Sequence, residues 1–180
     1  MTSFSNPAGA AAAAATGYVQ ALLALLGDRD PLDVLDELVP WLDQRVRGLD
    51  DATLRRPEAA GKWSVLEVVQ HLADAEMVTG YRIRTVLTQD TPPMPGYDQD
   101  VWARTFRYRE LPLAETLGQL AALRTANLRL YRSLEPAQLK RAGLHSERGM
   151  ESVEHMVRMM GGHDLVHRRQ IERVLAAGSR

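Results

Sequence analysis

The sequence predicts an all-α protein, a four-helix bundle with one long connection between the second and third helices. Its 180 residues give room for one domain, and a composition of 45% hydrophobic and 25% charged residues is ordinary for a globular chain. Apolar residues recur at helical spacing in four long stretches, and no stretch shows a convincing strand pattern. Helices with one apolar face bury that face against one another, which makes a bundle the expected architecture.

The N-terminal residues are low in complexity. Residues 1–16 include six consecutive alanines, Ala10 to Ala15. A short isolated helix is marginal in water even when it is rich in alanine. We therefore expect residues 1–16 to form a flexible tail and residues 17–180 to form the domain. A short helix is expected from Tyr18 to Leu26, where Gly27 stops it.

The first long helix is predicted to begin at Asp30-Pro31. The aspartate side chain caps the helix, and proline is favoured at the first helical position. Pro40 lies inside the apolar pattern and removes one backbone hydrogen bond, which should kink the helix. The pattern continues in phase past Pro40 to Leu49, so the sequence favours one bent helix over two.

The other three helices are bounded by clear signals. Ser64 and Glu67 form a capping box, in which a serine is followed three residues later by a glutamate, and this predicts a helix from Val65 to Thr88. The third helix is predicted from Leu113 to Leu134, and the fourth from about Ser152 to Ala177.

The connection between the second and third helices predicts the topology. It is about 24 residues long, which is unusual for a loop in a compact domain. The preceding helix would be roughly 36 Å long, and a connection of this length can return along it. The second and third helices can then run parallel, which gives an up-down-down-up bundle.

Charge, cysteine content and hydropathy exclude several classes of function. The 22 basic and 23 acidic residues leave a net charge of -1, so no nucleic-acid binding through gross charge is expected. The absence of cysteine excludes disulfides, thiolate zinc sites, iron–sulfur clusters and a cysteine nucleophile. No run reaches the roughly 18–20 apolar residues of a membrane span, and the first basic residue, Arg29, follows the apolar N-terminal run. We expect a cytoplasmic protein without a membrane partner.

Three histidines are candidate metal ligands. His163 and His167 are four residues apart on the apolar stripe of the fourth helix, so their rings face the same way. His71 lies on an inward face of the second helix, at a similar height in the bundle. Three histidines with open coordination positions are typical of catalytic zinc sites. The alternative is that they are surface histidines or core histidines whose nitrogens have other partners.

Four other residues near these histidines are candidates for the site. Arg124 interrupts the apolar stripe of the third helix, and Trp102 lies in the long connection, so both could line a substrate pocket. Alternatively, Arg124 pairs with a carboxylate and Trp102 packs over a helix end. Asp74 and Asp164 are the nearest carboxylates, and they could orient an imidazole or activate water. Their alternative is a solvated helix face.

Two glycines directly precede His163 inside the fourth helix. Gly161 and Gly162 each cost about 1 kcal/mol of helix stability relative to alanine. They are explained either by close approach of another helix or by space for a substrate beside a metal, and the sequence leaves both open.

Several short motifs resemble the DinB-like superfamily, which includes YfiT-like proteins regarded as metal-dependent hydrolases. The resemblance covers roughly residues 30–175. The motifs that carry it are Gly61–Ser64, Glu67, His71–Glu76, Arg82–Arg84, Tyr97-Asp98, Trp102, Arg141–Gly149 and Gly162–Gln170. It implies an up-down-down-up bundle, often a homodimer, with a divalent zinc or nickel ion bound by His71, His163 and His167.

The residues and the resemblance together predict a metal-dependent enzyme that acts on a small molecule. With water as nucleophile it would be a hydrolase, and with a low-molecular-weight thiol such as bacillithiol or mycothiol it would be an S-transferase. The alternative is a non-catalytic helical stress-response or interaction module in which the metal is structural. An open coordination position beside the histidines would favour the enzyme.

Overall fold

The computed structural model describes residues 12–177, with side chains from residue 17 onward. Its helices are α1 (Ala12–Leu26), α2 (Pro31–Val46), α3 (Asp51–Arg55), α4 (Val65–Thr88), α5 (Gln99–Thr105), α6 (Leu113–Arg132), α7 (Pro136–Leu139) and α8 (Val153–Ala177). A 3-10 turn covers Tyr108–Glu110, and the strands are β1 (Pro93–Met94), β2 (Ala142–His145) and β3 (Gly149–Ser152). Over the described range, no helix combines the length and the apolar character that a membrane crossing requires.

Helices α2, α4, α6 and α8 form the predicted four-helix bundle, and their cross-contacts establish its directions. Helices α4 and α6 are parallel, because residue numbers rise in both along their line of contact: Gln70 with Thr116, Glu76 with Arg124, and Arg84 with Asn127. Contacts along α4 and α8 run in opposite order: His71 with His163, and Thr79 with Met160. Helices α2 and α8 are parallel, because Glu37 contacts Arg168 and, further along both helices, Arg45 contacts Glu172. The order is therefore up-down-down-up, as predicted.

Local signals set the starts of the helices. The Asp30 side chain accepts a hydrogen bond from the Leu32 amide and caps α2. Pro40 lies within α2, which continues past it as a single helix. In the capping box of α4, the Ser64 amide donates to the Glu67 carboxylate at 2.8 Å, and the Glu67 amide donates to the Ser64 hydroxyl. These features confirm the predicted starts.

The sequence analysis predicted no strands, but the structure contains a small three-stranded sheet. Its order is β1-β2-β3, with β1, from the long connection, parallel to β2 and β3 antiparallel to β2. Strands of two to four residues are too short to show an alternating pattern, and β1 forms only because β2 lies beside it. The sheet attaches the connection to the hairpin that precedes α8.

Helix α1 begins at Ala12, six residues before the expected start at Tyr18. The boundary proposed at residue 16 thus falls inside a helix, while residues 1–11 of the proposed tail lie outside the described residues. The reason is tertiary, because α1 packs along α8 and gains contacts that an isolated alanine-rich helix lacks.

The two glycines of α8 permit this packing. A Cβ atom at Gly162 would lie 2.6 Å from the carbonyl carbon of Leu22, and one at Gly161 would lie 3.1 Å from the Leu26 side chain. Close helix approach therefore explains both glycines, and the space beside them is filled by α1 rather than open to a substrate.

We expect Gly162→Ala to destabilise the fold by about 1–3 kcal/mol, because the added methyl group meets the α1 backbone. Gly118→Ala is the matched control, since nothing lies within 4 Å of a Cβ at that helical position. The control should be neutral or stabilising by up to about 1 kcal/mol. Urea unfolding measures both, and equal stability of the two variants would contradict the close packing of α1 on α8.

Candidate metal centre

The three predicted histidines meet in the bundle. The Nε2 atom of His163 lies 3.1 Å from the Nε2 atoms of both His71 and His167. One ligand atom from each ring falls within 4.8 Å of the other two. The convergence follows from the antiparallel pairing of α4 with α8 and from the one-turn spacing of His163 and His167.

All three rings are buried and held in the neutral form. Burial lowers the pKa of His71 and His163 well below the usual 6.5, and it lowers the pKa of His167 to about 4. Charge repulsion from His167 also lowers the pKa of His71, and repulsion from both His167 and His71 lowers the pKa of His163. Neutral imidazole is the form that binds a metal ion.

A hydrogen bond at Nδ1 of His167 leaves the Nε2 atom of the same ring able to bind a metal ion. The Nδ1 atom of His167 lies 2.8 Å from Oε1 of Gln170. An amide oxygen can only accept, so Nδ1 carries the proton and Nε2 of His167 presents a lone pair. Within the described part of the chain, the buried Nδ1 atoms of His71 and His163 have no hydrogen-bond partner.

The three Nε2 atoms fit a cation better than they fit one another. A neutral His163 carries at most one proton on Nε2, so it can donate to only one of its two neighbours at 3.1 Å. The other contact is then left without a hydrogen bond of its own in a buried place. A divalent ion is a partner for all three nitrogens, and imidazole suits zinc and nickel.

The centre has an aromatic neighbour, and one of its candidate ligands borders a cavity. The ring of Trp63 lies 5.0 Å from that of His71, centroid to centroid. His163 lines a cavity together with side chains of α1, α4 and the loop segments. Trp63 is therefore placed to report on metal binding by fluorescence, and the cavity reaches one of the three histidines.

The two predicted carboxylates serve other partners. Asp74 accepts hydrogen bonds from the Tyr108 hydroxyl and from Nε2 of Gln70, and burial raises its pKa. Asp164 is fully buried and paired with Arg124. Neither carboxylate is a hydrogen-bond partner of a ligand histidine in the described chain. Gln170 orients an imidazole instead, and the sequence showed it only as a polar residue one turn beyond His167.

The contacts of Arg124 favour the structural alternative. Its guanidinium donates to Glu76 at 2.9 Å, to Asp164 at 2.6 Å and to the carbonyl oxygen of Leu35 at 2.6 Å. Further contacts reach the same two carboxylates from Nη2. Four hydrogen bonds and two ion pairs thus engage the guanidinium. Arg124 connects α2, α4, α6 and α8, and its contacts are with the protein itself.

Trp102 packs among aromatic rings of the long connection. Its ring lies 4.4 Å from Tyr97 and 5.4 Å from Phe106, centroid to centroid. Tyr97, and not Trp102, lines the cavity beside His163. The contacts therefore favour the packing alternative, with Trp102 supporting a residue that faces the cavity.

The metal-free protein should lose stability as the pH falls below about 6.5. In that range the histidines of the unfolded chain become protonated, whereas the buried histidines of the folded chain stay neutral. The histidines involved are His71, His163, His167 and His145, and burial lowers the pKa of His145 to about 4 as well. Each contributes a slope of up to about 1.4 kcal/mol per pH unit between its unfolded and folded pKa. Burial raises the pKa of Asp164 to about 6, and that group offsets part of the loss.

Urea unfolding in the presence of a chelator, at pH 7, 6 and 5, measures this dependence. A bound divalent ion should reduce the loss at pH 6, because metal and proton compete for the same nitrogens. Stability that stays constant from pH 7 to pH 5 without metal would contradict the neutral, buried state of the histidines.

The protein is a helical bundle in which three neutral imidazoles converge, a ligand set that could hold a divalent metal ion. A sequence profile of the DinB superfamily matches residues 35–171. The chain belongs to the DinB superfamily.

Relatives with similar sequences agree with this assignment. A protein of Oceanobacillus iheyensis named "Putative metal-dependent hydrolase" is 29% identical over 139 residues, which cover 76% of this chain and 80% of that protein. YfiT of Bacillus subtilis, which has the same kind of name, is 34% identical over 119 residues, or 64% of this chain and 65% of YfiT.

The solved structure of YfiT has a similar fold. It matches with a TM-score of 0.78 at 27% identity and covers 83% of this chain and 86% of YfiT. That structure is described as a probable metal-dependent hydrolase with an unusual four-helix bundle topology.

Proposed function

We propose that this protein is a metal-dependent hydrolase of a small molecule, with a zinc or nickel ion held by His71, His163 and His167. The observation that carries the proposal is the meeting of three neutral imidazole Nε2 atoms within 4.8 Å. The names of the relatives support it, since they describe metal-dependent hydrolases.

The chain's own residues prepare the site in two ways. The three histidines offer lone pairs without first releasing protons, and Gln170 holds His167 in the required tautomer. A divalent ion bound there would supply Lewis-acid chemistry, making water or a thiol acidic enough to act as a nucleophile and polarising a substrate oxygen.

The cavity beside His163 favours an enzyme over a module with a structural metal. A structural zinc site is closed by four protein ligands, whereas a catalytic site keeps a position for water or substrate. Among the described residues, the cluster of side chains that could hold a metal ion consists of three histidines, and one of them borders a cavity. Three protein ligands and a cavity beside one of them support a catalytic metal over a structural one.

The test begins with metal binding. Chelator-treated protein should take up about one zinc or nickel ion per chain, and nickel should quench the fluorescence of Trp63, whose ring lies against His71. Trp63→Phe is the control, because it removes the reporter and should keep the metal. Uptake below about a tenth of an ion per chain would overturn the proposal.

The reaction is tested with metal-loaded protein and a panel of small esters and amides. Turnover with water alone, lost on chelation, is the expected result. Turnover that requires bacillithiol or mycothiol and yields an S-conjugate would replace the hydrolase with an S-transferase. Stoichiometric metal without turnover in either assay would favour the structural module.

The family resemblance also implies a homodimer, which we propose as the state in solution. Light scattering should give about twice the 20.0 kDa mass of the chain. A mass equal to one chain would refute this part of the proposal and leave the metal site untouched.

A further inference from the structure

The cavity that borders His163 has a charged far end. It has a volume of about 60 Å³, where about 10–15 Å³ is enough for one water, so it admits several water-sized groups. Arg82 and Arg148 line it together with the hydroxyl-bearing rings of Tyr18 and Tyr97. The remaining wall is largely apolar, with contributions from α1, α4 and α8.

The cavity follows one face of α4 away from the metal centre. His71, Ala75, Val78 and Arg82 are spaced by four, three and four residues, so they share that face. His163 and Arg82 both line the cavity, so a molecule in it can face both side chains.

The two arginines differ in their partners. Arg148 is held by the buried carboxylate of Glu151, with contacts of 2.5 and 3.0 Å. Arg82 takes part in none of the ion pairs among the described residues. Its guanidinium donates to the carbonyl oxygen of Pro95 and lies 6.0 Å from the centroid of the Tyr97 ring. The rest of the guanidinium is available to a ligand.

The surroundings of Arg82 make an anion a favourable partner. Burial, and then the nearby positive charge of Arg148, lower the pKa of Arg82, which means that its charged form is destabilised where it stands. Burial raises the pKa of Tyr97 to about 12, so its hydroxyl is neutral. Glu151 and Glu147 favour the charged form of Arg82, but the Glu151 carboxylate is engaged by Arg148, so an anion in the cavity would give Arg82 a direct partner.

We infer that this cavity is the substrate subsite for a carboxylate, bound by Arg82, on a short apolar molecule whose reacting end faces His163. The inference rests on the proposed function and names its substrate class. The planar guanidinium suits a carboxylate, and the apolar wall suits a hydrocarbon chain between the carboxylate and the reacting group. The distance along α4 separates the carboxylate from the metal ligands.

Calorimetric titration with butyrate tests the subsite, on the chelated protein and again on the zinc-loaded protein. Butyrate should bind both forms, and butyramide, which lacks the charge, should bind at least about tenfold more weakly. Arg82→Met should weaken butyrate binding roughly tenfold or more, and Arg82→Lys should weaken it less. Arg104→Met is the matched control, because Arg104 is exposed on α5 and does not line the cavity.

Three outcomes would overturn the inference. They are equal binding of butyrate by Arg82→Met and Arg104→Met, equal binding of butyrate and butyramide, and tighter binding of inorganic phosphate than of butyrate. Thermal unfolding of each variant shows whether it is folded. If Arg82→Met does not fold, the comparison is made with Arg82→Lys. Failure of zinc to bind would refute the proposed function, and butyrate binding to the chelated protein is measured independently of that result.

Discussion

Replacing His71, His163 or His167 with alanine is expected to weaken zinc binding at least tenfold in each case. The three Nε2 atoms lie within 4.8 Å of one another, so each substitution removes one of three ligands to a single ion. Loss of one ligand leaves an incomplete site that no other histidine of the described chain can reach. The measurement is zinc per chain after equilibration with a competing chelator.

His145→Ala and His155→Ala are the matched controls and should keep the metal. His155 lies eight residues before His163, roughly 12 Å along the helix and about 80° around it. His145 lies in β2, where its Nδ1 accepts a hydrogen bond from the amide of Glu147. Loss of metal from His155→Ala, with retention in His71→Ala, would show that the ion is bound elsewhere.

Replacing Arg124 with methionine is expected to destabilise the protein by about 3–5 kcal/mol, because it leaves two buried carboxylates without their partner. Glu76 and Asp164 are almost completely buried, and Arg124 lies 2.9 and 2.6 Å from them. Burial disfavours the charged form of an unpaired carboxylate, so one or both groups would take up protons or admit water. Urea unfolding at pH 7 measures the change.

Arg132→Met is the control on the same helix. Arg132 forms an ion pair with Asp36 at 2.8 Å, but both side chains are more than half exposed. An exposed pair of this kind contributes about 0–1 kcal/mol. Adding Asp164→Asn to Arg124→Met should recover part of the lost stability, since it removes one buried charge. A loss no larger than that of Arg132→Met would contradict the structural role of Arg124.

The sequence by itself determined the features that depend on neighbours along the chain. The capping box of Ser64 and Glu67 sets the start of α4 within a few residues, whatever packs around it. The one-turn spacing of His163 and His167 puts both rings on one face of any helix that contains them. The length of the connection after Thr88 favoured parallel α4 and α6, because a connection of about 24 residues is long enough to return along α4.

The tertiary structure alone decided which side chains meet across the bundle. Arg124 pairs with Glu76 and Asp164 from two other helices, and no pattern within α6 distinguishes that pairing from a substrate contact. The length of α1 and the strands β1–β3 depend in the same way on α8 and on each other.

The tertiary structure also decided which residues line the far end of the cavity. Arg82 and Arg148 are 66 positions apart in the chain, and they meet in one cavity because the hairpin between β2 and β3 folds back to the end of α4. Capping and helical spacing act over a few residues, so they can be derived from sequence. A cavity is formed by side chains from distant segments, and their directions follow only from the packing of the whole bundle.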